Sequence, residues 1–243
     1  MENIIRLYSH SGLCNRLRLI SSYREKSMIE NKPIEMHWIE SVQCWKRFSD
    51  LFHPVPGVDF VYRKHGRNMR KTRPENSSIS LCPISDENYN RFLLDIKPLP
   101  AIQIEIDKLS NIAGENFGAC HVRRTDIITI QKKYKKTPPT NEDFFNFIEE
   151  NNFDKVILAT DNQETQDIFK KKLGDKIILT TNISGNGSKR WPKRTTDVRR
   201  AVVDLFLCIN SYKFMGTVCS SFSDFIEGYR EGLRCQTKSG VLL

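Results

Sequence analysis

Between residues 101 and 233 the chain alternates two kinds of hydrophobic pattern, and this alternation restricts its fold more than any other feature. Short apolar runs at 117–122, 155–160, 176–181 and 213–218 read as strands. Longer segments with apolar residues three and four apart, at 101–113, 141–151, 163–173, 195–211 and 221–233, read as helices. Strands separated by helices form βαβ units, which assemble into a parallel sheet covered by helices. In such sheets ligands bind outside the carboxyl ends of the strands. The chemistry is therefore sought at 10–15, 121–126, 160–163 and 218–223.

The first hundred residues give a sparser pattern. Strands are expected at 3–8, 34–39, 58–62 and 79–84. A helix is expected after the turn Ser9-His10-Ser11-Gly12, with Asn15 as its N-cap and Leu17, Ile20, Arg24 and Met28 near one face. Residues 63–78 are polar, basic and turn-rich and read as a loop. Lys97-Pro98-Leu99-Pro100 is the best linker, because proline blocks helix continuation and stiffens the chain. Two lobes are expected, 1–98 and 99–243, and 243 residues suffice to bury a core.

Seven cysteines at irregular positions, with no C-x-x-C, argue against a disulfide scaffold or a zinc ribbon and for a reducing compartment. No stretch approaches the ~18 apolar residues of a membrane span, and residues 1–12 lack the features of a secretory leader. A cytoplasmic protein is expected, either soluble or held peripherally at a membrane. The formal charge is +9, concentrated in 63–73 (RKHGRNMRKTR), 131–136 (QKKYKK) and 189–200 (KRWPKRTTDVRR). Such clusters suit an anionic partner: a nucleotide phosphate, an acidic membrane or a nucleic acid. A basic nucleic-acid-binding protein is the competing class. It is disfavoured because neither an aromatic-basic RNA-binding pattern nor a zinc-finger spacing is present.

The run His121-Val122-Arg123-Arg124-Thr125-Asp126 directly follows an expected strand. Two adjacent arginines at a strand end cannot both face the core. A guanidinium turned to the crevice matches phosphate oxygens, and Asp126 is placed to orient it. A solvated Arg–Asp pair is the plainer alternative. Asp204 lies beside the apolar stripe of its helix, where pairing with Arg200 is an equally simple use. Ser220 to Ser223 stand where a helix cap is common, and Gly12 and Asn15 where a turn and a cap are.

HVRRTD resembles the H-x-R-R-x-D motif of the GDP-fucose-dependent fucosyltransferases, the superfamily of the core α1,6-fucosyltransferases, NodZ-type enzymes and protein O-fucosyltransferases. VILATDN at 156–162, RRAVVDL at 199–205 and GTVCSSFSDF at 216–225 are similar to further segments of that superfamily, in the same order. SGLCNRL at 11–17 is similar to its G-x-G-N-[RQ] turn, with Cys14 where glycine is common. The resemblance runs from 117 to about 230, while residues 32–110 carry none.

The resemblance implies an α/β, GT-B-like fold of two Rossmann-like lobes with a reduced N-terminal lobe. Residues 1–98 would face the acceptor and 99–243 would bind the GDP-sugar. His121 and Asp204 would hold guanine. Arg123 would bind the β-phosphate and stabilise departing GDP, with Arg124 and Asp126 supporting its loop. Asp161 would shape the nucleotide site. Ser220, Ser221 and Phe222 would hold phosphate where a helix begins, and a helix N-terminus favours anions on physical grounds alone. Gly12 and Asn15 would complete the donor site.

The implied reaction is a metal-independent, inverting transfer of fucose from GDP-fucose to a glycan or glycoprotein. No two aspartates stand two positions apart, so the metal-binding D-x-D motif is absent and an arginine would take the metal's place. No cofactor or metal is expected. The core α1,6 branch carries a glutamate five positions after the motif aspartate; here that position is Gln131, which cannot act as a base. Asp126, Glu40 and Asp50 remain as candidate bases. Another GDP- or NDP-sugar on the same scaffold is the alternative donor.

Overall fold

In a computed structural model the described residues are 3–64, 81–125, 134–180, 183 and 197–239. Asp126 and Gln131 lie outside them, as do most of the three basic clusters. The chain divides into two compact units, 1–99 together with 227–243, and 100–226.

The first unit holds a parallel sheet of β1 (Ile5–Ser9), β2 (Ile34–Glu40) and β3 (Val58–Lys64), in the order β1-β2-β3. Leu7, Met36 and Trp38 point to one face and are fully buried. Trp38 packs edge-on to Phe48 and Phe60, which stack on each other at 4.1 Å. Helix α1 (Leu13–Glu30) starts after Gly12, so Asn15 stands inside it and is not its cap. The side chain of an N-cap must lie outside the helix to reach back to its free N–H groups, and Asn15 comes too late for that. The buried face carries Leu13, Leu17, Ile20 and Tyr23, whereas Met28, expected on it, is exposed.

Residues 81–84 form no strand, and the Cys82 N–H donates to Ser22 Oγ at 3.2 Å. The next segment folds instead as α2 (Asp86–Leu93), a helix the apolar pattern does not announce. Ser85 Oγ accepts from the Asn88 N–H, and Asp86 and Glu87 complement the helix dipole.

The second unit is built from α3 (Pro100–Ala113), β4 (Phe117–Val122), α4 (Asn141–Asn151), β5 (Lys155–Thr160), α5 (Gln163–Leu173), β6 (Ile177–Ile178), α6 (Val198–Asn210), β7 (Lys213–Met215) and the start of α7 (Ser221–Ser239). The four strands form one parallel sheet, ordered β6-β5-β4-β7. Every residue of β4 is buried, as a central strand requires. Phe144, Ile148 and Phe169 pack with Cys120, Val122 and Val156 to form a core. Each fully buried aromatic contributes roughly 1.5–3 kcal/mol of apolar transfer. α3 packs against α6, and Glu105 pairs with Arg199 and Arg200.

The strand order reverses at β4. The chain runs outward through β5 and β6, then returns by α6 to place β7 on the other side of β4. Such a switch leaves a crevice at the carboxyl ends of β4 and β7, because the two departing connections turn to opposite faces. β7 stops at Met215, shorter than its apolar run, and the chain turns there.

Candidate functional site

His121 is the penultimate residue of β4 and is buried. Its Nδ1 lies 2.8 Å from Ser223 Oγ near the start of α7, and its ring meets Phe222 at 4.5 Å between centroids. Burial, aided by the Arg123 charge, pushes its pKa down to about 3, so the imidazole is neutral at physiological pH. A neutral ring between a hydroxyl and an aromatic face positions and stacks; it does not supply positive charge.

Thr217 ties the crevice together. Its hydroxyl donates to the His121 carbonyl at 2.8 Å and accepts from the Arg123 N–H at 3.0 Å. Its own N–H donates to Ser223 Oγ at 3.0 Å. The end of β4, the turn after β7 and the first turn of α7 are thus locked to one another. Gly216 makes this possible, since a Cβ there would lie 2.5 Å from Ser223 Oγ. Cys219 holds a positive φ of 64° in the tight turn before the helix. Ser220 is fully buried, and its hydroxyl has no hydrogen-bond partner among the described residues.

Arg123 and Arg124 take different surroundings. Arg124 lies along the protein: its guanidinium donates to the Pro139 carbonyl at 2.7 Å and to Asn141 Oδ1 at 2.8 Å. Burial lowers its pKa, an effect opposed by Asp161 and Asp143. Arg123 is about a third exposed, with Nε 3.8 Å from Asp161 Oδ2. Asp161, just past β5, also accepts from the Arg124 N–H at 2.9 Å and from the Thr125 hydroxyl at 2.5 Å. It fixes the loop on which both arginines stand.

His121, Arg123, Arg124, Asp161, Ser220 and Phe222 therefore share one network of contacts with Thr217 and Ser223, and Ser221 opens α7 beside it. Asp204, buried on α6, accepts from the Thr180 hydroxyl beyond the end of β6, while Arg200 pairs with Glu105. Gly12 and Asn15 belong to the first unit, Gly12 as the N-cap of α1 and Asn15 in its first turn. Asp126 lies outside the described residues. Sequence reasoning gave Thr217 no part in the site and Ser223 none beyond a helix cap. The available signal was a hydroxyl residue directly after the glycine that follows β7, with a serine in the first turn of the next helix.

Among the described residues no group of three His, Cys, Asp or Glu is arranged to hold a metal ion. No described helix is long and apolar enough to cross a membrane.

No family profile matches the chain, and no curated protein matches it by sequence. Solved structures do match. A crystal structure of NodZ α-1,6-fucosyltransferase soaked with GDP-fucose superposes with a TM-score of 0.61 at 14% identity, over 94% of this chain and 93% of that one. NodZ from Bradyrhizobium gives 0.62 at 14% identity, over 93% and 92%. POFUT1 in complex with GDP gives 0.62 at 12% identity, over 94% and 95%. The chain therefore has the mixed α/β fold with parallel sheets of these fucosyltransferase structures, over nearly its whole length.

Proposed function

We propose that the protein is a metal-independent, inverting glycosyltransferase that uses GDP-fucose to modify a glycan or glycoprotein. The observation that carries this reading is the locked crevice at the β4–β7 switch, where Thr217 links the backbone of the partly exposed Arg123 to Ser220, whose buried hydroxyl has no hydrogen-bond partner among the described residues, just before α7. Those are the groups a pyrophosphate needs: a forked cation, free backbone N–H groups and a hydroxyl donor. Similarity of fold to GDP-bound fucosyltransferases supports the same reading.

In this mechanism residues 99–243 bind the donor and 1–98 face the acceptor. Asp204 accepts from guanine N1–H and the exocyclic amine, with neutral His121 nearby. Ser220, Ser221 and Phe222 hold phosphate at the start of α7. The acceptor hydroxyl attacks the anomeric carbon from the side opposite GDP. The bond from that carbon to the β-phosphate oxygen breaks, and its electron pair leaves on GDP. Arg123 stabilises the charge that develops there, which is the largest single contribution expected in such a site. Arg124 and Asp161 keep Arg123 in position. The acceptor proton passes to a carboxylate, for which Asp126, Glu40 and Asp50 are the candidates.

Turnover of GDP-fucose, GDP-mannose, GDP-rhamnose and UDP-sugars in excess EDTA tests the proposal. GDP-fucose should be consumed and EDTA should have no effect. Turnover of only another sugar nucleotide would change the donor, and loss of activity restored by Mg²⁺ or Mn²⁺ would overturn metal independence.

A further inference from the structure

We propose that Ser223 is a positioning residue for base recognition: it holds His121 in the tautomer whose proton is on Nε2, so that His121 offers the nucleotide a hydrogen-bond donor and not an acceptor. The inference rests on the GDP-sugar reading and adds the residue that sets the sense of one hydrogen bond in it. Both residues belong to the second unit. Both are buried, and the 2.8 Å contact from His121 Nδ1 to Ser223 Oγ is the one hydrogen bond of the His121 ring among the described residues. Nε2 makes none, yet it is not enclosed, so this nitrogen opens to the crevice.

Counting protons shows which atom donates across that contact. The Thr217 N–H donates to Ser223 Oγ at 3.0 Å, which uses one acceptor position of the hydroxyl and leaves its single hydrogen to be placed. Ser223 is 2% exposed, so that hydrogen does not turn to bulk water. Among the described residues the hydroxyl has only two hydrogen-bond partners, the Thr217 N–H and His121 Nδ1. If Nδ1 carried the ring proton and donated it, the hydroxyl hydrogen would be buried with no acceptor, which is worse than a lost bond. A charged imidazole meets the same conflict, and burial already pushes the His121 pKa down to about 3. A flipped ring would set a carbon against the hydroxyl. What remains is Ser223 donating to Nδ1, with the ring proton on Nε2.

The surroundings keep the hydroxyl in place. Thr217 is pinned to β4 by its own hydroxyl, which donates to the His121 carbonyl at 2.8 Å. Gly216 leaves open the space that a Cβ, 2.5 Å from Ser223 Oγ, would take. The Phe222 ring, 4.5 Å from the imidazole between centroids, restricts its rotation. A fixed N–H at the crevice accepts only partners that bring a lone pair. Guanine presents O6 and N7 along one edge, whereas adenine has an exocyclic amine in place of O6 and would set N–H against N–H. In the other tautomer Nε2 would be an acceptor and this preference would reverse. Ser223 thus acts on nucleotide choice through His121.

The test uses the full chain, ligand-free at neutral pH, with its histidines labelled with ¹⁵N. Long-range ¹H–¹⁵N spectra tell a protonated ring nitrogen from a bare one, and the signals missing from His121→Gln belong to His121. In the parent His121 Nδ1 should be bare and Nε2 protonated. In Ser223→Ala that signature should give way to the Nδ1–H form or to a mixture. Calorimetry on the same variant should show GDP weakened by roughly tenfold or more and ADP not weakened, so that the preference for GDP shrinks. General damage to the crevice would weaken both nucleotides alike. A parent His121 protonated on Nδ1, a Ser223→Ala protein that keeps the parental signature, or an equal loss of GDP and ADP would overturn the proposal. If Ser223→Ala does not fold, the parent spectrum still decides, and Ser223→Cys, a weaker donor, takes its place. Failure of the parent to bind GDP would strike the donor reading, while the spectrum decides the tautomer independently of it.

Discussion

Arg123 and Arg124 are neighbours in sequence with opposite consequences. Arg124 spends its donors on the Pro139 carbonyl and Asn141, so Arg124→Ala orphans acceptors that brace the loop. That should cost roughly 1–3 kcal/mol and lower the melting temperature by several degrees. Arg123→Ala removes a partly exposed side chain and should melt close to the parent, yet transfer should fall by ~10²-fold or more. Melting curves and single-turnover rates of the two variants separate the roles; a folded Arg123→Ala enzyme with parental turnover would contradict the assignment. His121 makes a further residue-scale prediction. Its folded pKa is depressed to about 3, below the ordinary histidine value of ~6.5. The unfolded chain therefore takes up a proton first as pH falls. The stability tied to neutral His121 is complete above ~6.5 and is lost progressively down to about 3, by at most about 1.4 kcal/mol per pH unit. Urea titrations at several pH values should show a shallower acid loss for His121→Gln than for the parent.

The element that matters most is the short turn from β7 into α7. Its apolar run predicts a strand through residue 218, but regular structure ends at Met215. The turn is set by Gly216, which lets Ser223 approach, and by Thr217, which hydrogen-bonds to β4. The bonds from Ser223 and Thr217 to His121 join residues about a hundred positions apart, so no local periodicity announces them. Gly216→Ala should push Ser223 away from both His121 and Thr217. Its crowding cost is ~1–3 kcal/mol, and donor binding should weaken with it. Calorimetry with GDP on the folded variant checks this, and unchanged affinity would mean that the turn plays no part in the site. α2 was illegible for the opposite reason. It is short, its apolar residues cluster at one end, and it is specified by Ser85 as a cap and by packing against α7. There a Cβ on Gly232 would lie 2.6 Å from the Asn90 carbonyl oxygen. The helices and strands from α3 to α6 are legible because each carries an unmixed period along its length, except that β6 pairs only over Ile177–Ile178 of the apolar run at 176–181. The N-terminal strands β1 to β3 were also found, to within a residue or two at their ends.

At the scale of the molecule, a +9 charge suggests an anionic partner without saying which. The fold narrows the choice by setting the partly exposed Arg123 and the start of α7 in one crevice at the β4–β7 switch. That crevice was legible from the strand-end rule and the HVRRTD run together. The buried hydroxyls that rigidify it were not, because serine and threonine read as caps and turns until the chain is folded. The central claim is that this crevice binds a guanosine diphosphate. Isothermal titration of the purified protein with GDP, UDP and ADP, in EDTA, tests it most directly. The account predicts saturable, one-to-one binding of GDP, weaker by about tenfold or more for the other two nucleotides because their bases leave the Asp204 carboxylate without its donors. Equal affinity for all three, or no binding of GDP, would contradict it.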